Sequence, residues 1–154
     1  MRLVQPPNGS PRSGPMSEES TTPDLVELAR RLREAWNSGD FDLALTFYTP
    51  DAVLDTSPMG LEELKGHAAI RQGWVDALSA YTTFNLWEED RTDLGNGVIL
   101  TVLVVKGRFA TGGDLNMRYA RVHEWRDGLI ARESMYTDLD QARTAAERLA
   151  EERG

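Results

Sequence analysis

The sequence predicts an α+β fold: an antiparallel sheet with helices packed on it. Three observations carry this. Apolar residues recur at helical spacing early in the chain, strand-like alternation then occupies residues 83–136 with short Gly-containing turns, and helical spacing returns at the end. With 154 residues the chain is long enough for one domain with a real core. We expect a disordered extension at 1–22 and a single domain at 23–154.

The elements follow in order. Residues 1–21 are rich in Pro, Ser and Gly without apolar periodicity, and MSEESTTPDL makes Met16 an alternative start. A helix is then expected with Thr22 as its cap and Pro23 in its first turn. Leu25, Leu28, Ala29, Leu32, Ala35 and Trp36 form its apolar stripe, and Gly39 stops it. Asp40 caps a short helix over 41–48, ended by Pro50. A strand over 52–56, a loop over 57–66 and a helix over 67–80 follow. Ile70, Trp74, Ala77 and Leu78 point inward from this helix. Strands are expected at 83–92, 98–109, 116–126 and the segment after Asp127-Gly128, and a closing helix at 139–152 carries Ala142, Ala145, Ala146 and Leu149 on one side.

Composition excludes several classes. A net charge of −8 disfavours nucleic-acid binding, which needs a basic face. The longest apolar run, 98–105, is too short to span a bilayer, and no signal-peptide pattern opens the chain, so a cytoplasmic location and no membrane partner are expected. Without cysteine there is no disulfide and no thiolate, and without a His-x-His or carboxylate–His cluster no metal site or cofactor is expected.

The stretch 116–141 carries the candidate site. Met117, Tyr119, Arg121, His123 and Trp125 alternate onto one face of a strand, placing a cation and a titratable ring between aromatics. A two-residue Asp127-Gly128 turn would pair His123 with Arg132, whereas a three-residue turn with a Gly128 bulge would pair Arg121 with Glu133 and Tyr119 with Met135. Charge complementarity favours the second. Glu133 would then hold Arg121, which suits a carboxylate, phenolate or enolate oxygen. His123 would be the proton-transfer group, and Asp55 an alternative base.

Asn37-Ser38-Gly39-Asp40, Tyr48 through Asp51-Ala52-Val53, Gly66 with Ala69-Ile70-Arg71, and Trp125 through Asp127-Gly128 together resemble the SnoaL-like branch of the nuclear transport factor 2-like superfamily. The resemblance runs from about residue 24 to the C-terminus. It implies a curved antiparallel sheet forming a cone closed by N-terminal helices, a cystatin-like α+β barrel, with a ligand pocket inside and dimerisation through the sheet. Ketosteroid isomerases, polyketide cyclases, limonene epoxide hydrolases and non-catalytic binding proteins share it, so fold alone does not define activity.

The resemblance also shows what this chain lacks. The isomerase donors fall at Leu32 and Arg121, and its base at Thr56. The hydrolase positions fall at Leu103, Val105, Met135, Leu54 and Thr56, and the cyclase acid/base again at Met135. The expected ligand-binding residues are Trp36, Phe47, Leu54, Thr56, Trp74, Leu103, Val105, Tyr119, Glu133 and Met135. The expected catalytic residues are His123, Arg121 and Asp55. The function expected is binding of a polyketide-, steroid- or terpenoid-like molecule with cofactor-free isomerase or cyclase chemistry. The alternatives are a non-catalytic binding protein or an interaction dimer using the outer row Leu100, Val102 and Val104.

Overall fold

The computed structural model describes Arg2–Val4 and residues 24–154. Its elements are β1 (Arg2–Val4), α1 (Leu25–Asn37), α2 (Phe41–Leu45), β2 (Tyr48–Asp55), a 3-10 turn (Ser57–Met59), β3 (Glu63–Lys65), α3 (His67–Ser79), β4 (Tyr81–Gly95), β5 (Val98–Phe109), β6 (Asp114–Arg126), β7 (Leu129–Tyr136) and α4 (Leu139–Arg153). The expected disordered extension carries a short strand at Arg2–Val4. The rest of it, with Met16 and the proposed cap Thr22, lies outside the described residues.

The seven strands form one sheet in the order β1-β4-β5-β6-β7-β2-β3. Consecutive strands β4 to β7 pair antiparallel through short turns, as expected. Two pairings are parallel, β2 with β7 and β1 with β4. The members of each are far apart in the chain, so no hairpin dictates their direction. The sheet curls without closing into a barrel, leaving β1 and β3 as its edges. Register shifts near both ends and in the middle of β4 mark where that long strand departs from regular pairing.

Helix α1 starts at Asp24, whose carboxylate accepts from the Val26 and Glu27 amides at 3.1 and 3.3 Å. The cap of this helix is therefore Asp24. An Asp24→Ala variant is expected to lose about 1 kcal/mol of stability, read as a lowered urea midpoint with an unchanged slope. Ion pairs seat α1 over β4: Arg33 reaches Glu88 at 2.8 Å, and Arg91 joins the same carboxylate while donating to the Val26 carbonyl at 3.0 Å.

Asp40 caps α2 as expected, by accepting from the Leu43 amide at 3.0 Å. The helix ends at Leu45, however, and Tyr48 already belongs to β2. Tyr48 pairs with Ile130 of β7, and the sheet takes over what local spacing assigned to a helix. Pro50 sits where the β2–β7 register shifts, between Tyr48 and Val53, the kind of interruption that tolerates a missing N–H. The expected loop over 57–66 contains β3, which folds back on the end of β2.

Two apolar clusters lie on the concave side. Leu32, Ala35, Leu45, Tyr48, Leu54, Ile70 and Trp74 pack with Ile99, Trp125 and Ile130 in one. Leu78, Phe84, Leu86, Leu103, Val105 and Tyr119 form the other. Trp36, Phe41 and Met135 touch both. Helices do not lie on one face only. Ala142, Ala146 and Ala150 of α4 pack on Val98, Leu100, Ala120 and Val122 of the convex face. Small residues at this spacing let the helix approach closely. Leu100 is thus covered by α4 rather than offered as part of an outer interface row. Arg153 donates to the Trp125 carbonyl at 2.6 Å and Asn96 to the Ala150 carbonyl at 2.6 Å, which tie the helix end to the sheet.

Candidate functional site

The register of the β6–β7 hairpin determines what shares the concave face. Its turn is the two-residue Asp127-Gly128, both at positive φ (53° and 80°), the pattern a type I′ hairpin requires. Arg126 pairs with Leu129 and Trp125 with Ile130. Ala131 is then skipped, so that Glu124 pairs with Arg132, His123 with Glu133 and Arg121 with Met135. The expected Gly128 bulge is therefore wrong, and so are the expected pairings of Arg121 with Glu133 and Tyr119 with Met135. Relative to that expectation, the two-residue turn and the bulge at Ala131 each move the pairing by one residue in the same direction. Together they shift it by two residues, one full pleat repeat, so Arg121, His123, Glu133 and Met135 still point into the cone.

Glu133 is the hub. Its side chain is 4% exposed. Its Oε1 accepts from the Tyr48 hydroxyl at 2.5 Å and lies 2.9 Å from His123 Nε2, while Arg121 Nε stands 3.8 Å from Oε2. Burial alone would raise the Glu133 pKa. The Arg121 charge, then His123 and the Tyr48 hydrogen bond, instead hold it down at about 2. Glu133 is thus an ionised acceptor, and the proton on the His123 bond sits on Nε2. His123 Nδ1 is buried and has no hydrogen-bond partner among the described residues.

Arg121 is also kept charged. Burial works against its cation, but the neighbouring Tyr119, Glu133 and Tyr48 outweigh it and raise its pKa. Burial pushes the Tyr48 and Tyr119 phenols upward, so both remain hydroxyl donors at neutral pH. Among the described residues Arg121 Nε is buried without a hydrogen bond, while 18% of the side chain remains accessible. A cation in the middle of a sheet with spare donor capacity can accept an anionic group.

The other expected residues divide. Leu54 lies beside Glu133 on the same face, Leu103 beside Tyr119, and Val105 beside Met117, all buried. Trp74 packs edge-on to Tyr48 with ring centroids 5.7 Å apart. Trp36 and Met135 bridge the two concave clusters, and Phe47 packs against the first.

Asp55 and Thr56 are not with them. Asp55 pairs with Ser134, on the face opposite Glu133. It is bound there by Arg132 at 2.6 Å and by the Ser57 amide at 2.9 Å. Burial opposes its ionisation, but these hydrogen bonds dominate and lower its pKa. Asp55 is a strand-end anchor rather than a base in the cone. Thr56 spends its hydroxyl on the Glu62 carbonyl across the turn.

Tyr48 was missed because the spacing assigned it to a helix end, although an aromatic two residues before Pro50 also suits a strand start. His67, the first residue of α3, is half-buried, and its Nε2 lies 3.1 and 3.0 Å from the Tyr48 and Thr49 carbonyls.

This architecture, a curled sheet with helices closing its concave side over a buried polar cluster, is that of the NTF2-like proteins. The chain belongs to the SnoaL-like domain family, which matches residues 29–133. No curated protein matches the sequence. Among solved structures it is similar to TerC co-crystallised with polyporic acid, at 15% identity over 80% of this chain and 98% of that one, with a TM-score of 0.67. An NTF2-like protein from Burkholderia pseudomallei matches at 15% identity over 81% and 98%, TM-score 0.67. A Mycobacterium tuberculosis protein in complex with estradiol-17beta-hemisuccinate matches at 18% identity over 75% and 95%, TM-score 0.62. At these identities the likeness is one of fold. Among the described residues, no helix is long and apolar enough to cross a membrane.

Proposed function

We propose that this protein binds a small, mostly apolar organic molecule of polyketide, steroid or terpenoid type inside the cone. An enolate, phenolate or carboxylate oxygen of the ligand sits on Arg121, and His123 handles the proton of an isomerase- or cyclase-type step without a cofactor. The observation that carries this reading is the unsatisfied pair of nitrogens, Arg121 Nε and His123 Nδ1, on one face of β6 among apolar side chains. Glu133 fixes the imidazole with its proton on Nε2, leaving Nδ1 as the acceptor for a substrate proton. Glu133 itself, with its pKa held at about 2, is a poor base. TerC has been co-crystallised with polyporic acid and the mycobacterial protein solved in complex with estradiol-17beta-hemisuccinate, which supports the ligand class. We further propose a cytoplasmic homodimer formed through the part of the convex sheet that α4 leaves open.

A second reading, a non-catalytic binding protein, is favoured by Asp55, which lies on the other face and leaves His123 without a partner base. One experiment separates the two. Wild type, Arg121→Gln and His123→Gln are titrated with polyporic acid and estradiol hemisuccinate by thermal shift and calorimetry, and ligand hits are followed for chemical conversion. Arg121→Gln is expected to weaken binding about tenfold to a hundredfold, as for loss of a charged hydrogen bond. His123→Gln is expected to bind normally and to lose turnover. Unchanged turnover in His123→Gln would remove the catalytic half of the proposal, and unchanged affinity in Arg121→Gln the other half.

A further inference from the structure

A cavity lies away from this polar cluster. An open recess of about 380 Å³ sits between the end of α1, the start of α2 and the last turns of α3, within the size range of small-molecule sites. Phe41, Val75 and Leu78 give it an apolar wall, and among the described residues no charged side chain lines it. The two serines that line it have spent their hydroxyl protons. Ser38 donates to the Ala35 carbonyl at 2.8 Å and Ser79 to the Asp76 carbonyl at 2.7 Å.

Asn37, which also lines the recess, differs. It is 6% exposed, and its Nδ2 has no hydrogen-bond partner among the described residues. The helix end does not need it, because backbone carbonyls of Glu34, Trp36 and Ala35 already take the amides of Ser38, Gly39 and Asp40. Burying a carboxamide unpaired destabilises the fold, and an acceptor supplied from outside relieves that.

We propose that this recess is a binding site for a neutral, flat, mostly apolar ring bearing one hydroxyl or carbonyl, its polar atom hydrogen-bonded to Asn37 and its ring against Phe41, Val75 and Leu78. The chemistry is opposite to that at Arg121, where a cation selects an anion. The two sites do not share residues. Phe41 packs on Trp36 with ring centroids 5.8 Å apart, and both, with Leu78, belong to the apolar cluster that contains Tyr119. A layer of apolar side chains thus stands between the recess and the polar cluster. The proposal does not rest on the reading given for Arg121.

The test uses 2-naphthol as probe on the full chain, followed by NMR of the Asn37 side-chain amide and the Val75 and Leu78 methyls. Saturable shifts at these groups are expected. Naphthalene should bind about fivefold more weakly, as should 2-naphthol to Asn37→Leu, each lacking one neutral hydrogen bond. Asn37→Leu should meanwhile be no less stable than wild type, since an unpaired amide has been removed. Val75→Trp, a change at a 38% exposed position that fills the recess, should abolish the shifts. Arg121→Gln should leave them in place. The proposal fails if the shifts do not saturate at these groups, if Val75→Trp binds as wild type does, or if Arg121→Gln removes them.

Discussion

Replacing Glu133 with Gln is expected to lower the unfolding free energy by about 3–5 kcal/mol at neutral pH. The carboxylate is almost wholly enclosed, bonds Tyr48 and His123, and is the counter-charge to Arg121. The amide is nearly isosteric but leaves that guanidinium in the sheet without its anion. The pH dependence gives an independent signature. Glu133 is ionised in the folded chain down to about 2, against 4.5 for an unperturbed glutamate. Below pH 4.5 the unfolded chain therefore binds a proton that the folded one does not. Stability from this group is fully present above 4.5 and is lost as pH falls towards 2. At 1.36 kcal/mol per pH unit the interval corresponds to roughly 3 kcal/mol. Urea denaturation of both proteins at pH 7 and pH 3 checks this: wild type should lose more stability on acidification than Glu133→Gln does. Equal acid sensitivity would mean that the buried carboxyl is not the ionised hub described above.

Trp74→Ala should have a comparable effect, about 3–5 kcal/mol, by emptying the space between α3 and β2. Trp74 is 8% exposed, with Phe41 at 5.5 Å on one side and Tyr48 at 5.7 Å on the other. Its removal also frees the Tyr48 ring, whose hydroxyl is one of the groups fixing Glu133. The Trp74→Ala and Tyr48→Phe effects should consequently not add, because the residues are in contact and one positions the other. A double-mutant cycle by equilibrium unfolding measures this. Strict additivity would show that Trp74 supports only bulk packing and not the polar cluster.

The residues that misled the sequence reading share a cause. Tyr48 and Pro50 followed local helix-ending signals, yet pairing with β7, a strand more than 80 positions later, made them part of β2. Asp55 sat one residue from a position the family resemblance marks as a base, and the pleat turned it to the other face, where Arg132 holds it. Leu100 read as an exposed apolar row until α4 covered it. Where local chemistry was sufficient, the reading was close. The span 98–109 matches β5, and Asp40 caps α2. The alternation of Tyr119, Arg121 and His123 assigned them to one face without knowledge of the turn.

By itself, then, the sequence determined the class of fold, most of its strands and helices, and which residues of β6 share a face, because periodicity and caps are properties of neighbouring residues. Only the tertiary structure decided which of those residues meet. The two-residue turn and the skipped Ala131 together set His123 rather than Arg121 across from Glu133, and strand pairing over a long separation brought Tyr48 to the same carboxylate. Register and long-range contact depend on the free energy of the whole sheet, in which one bulge moves every later partner, and no short window of residues contains that sum.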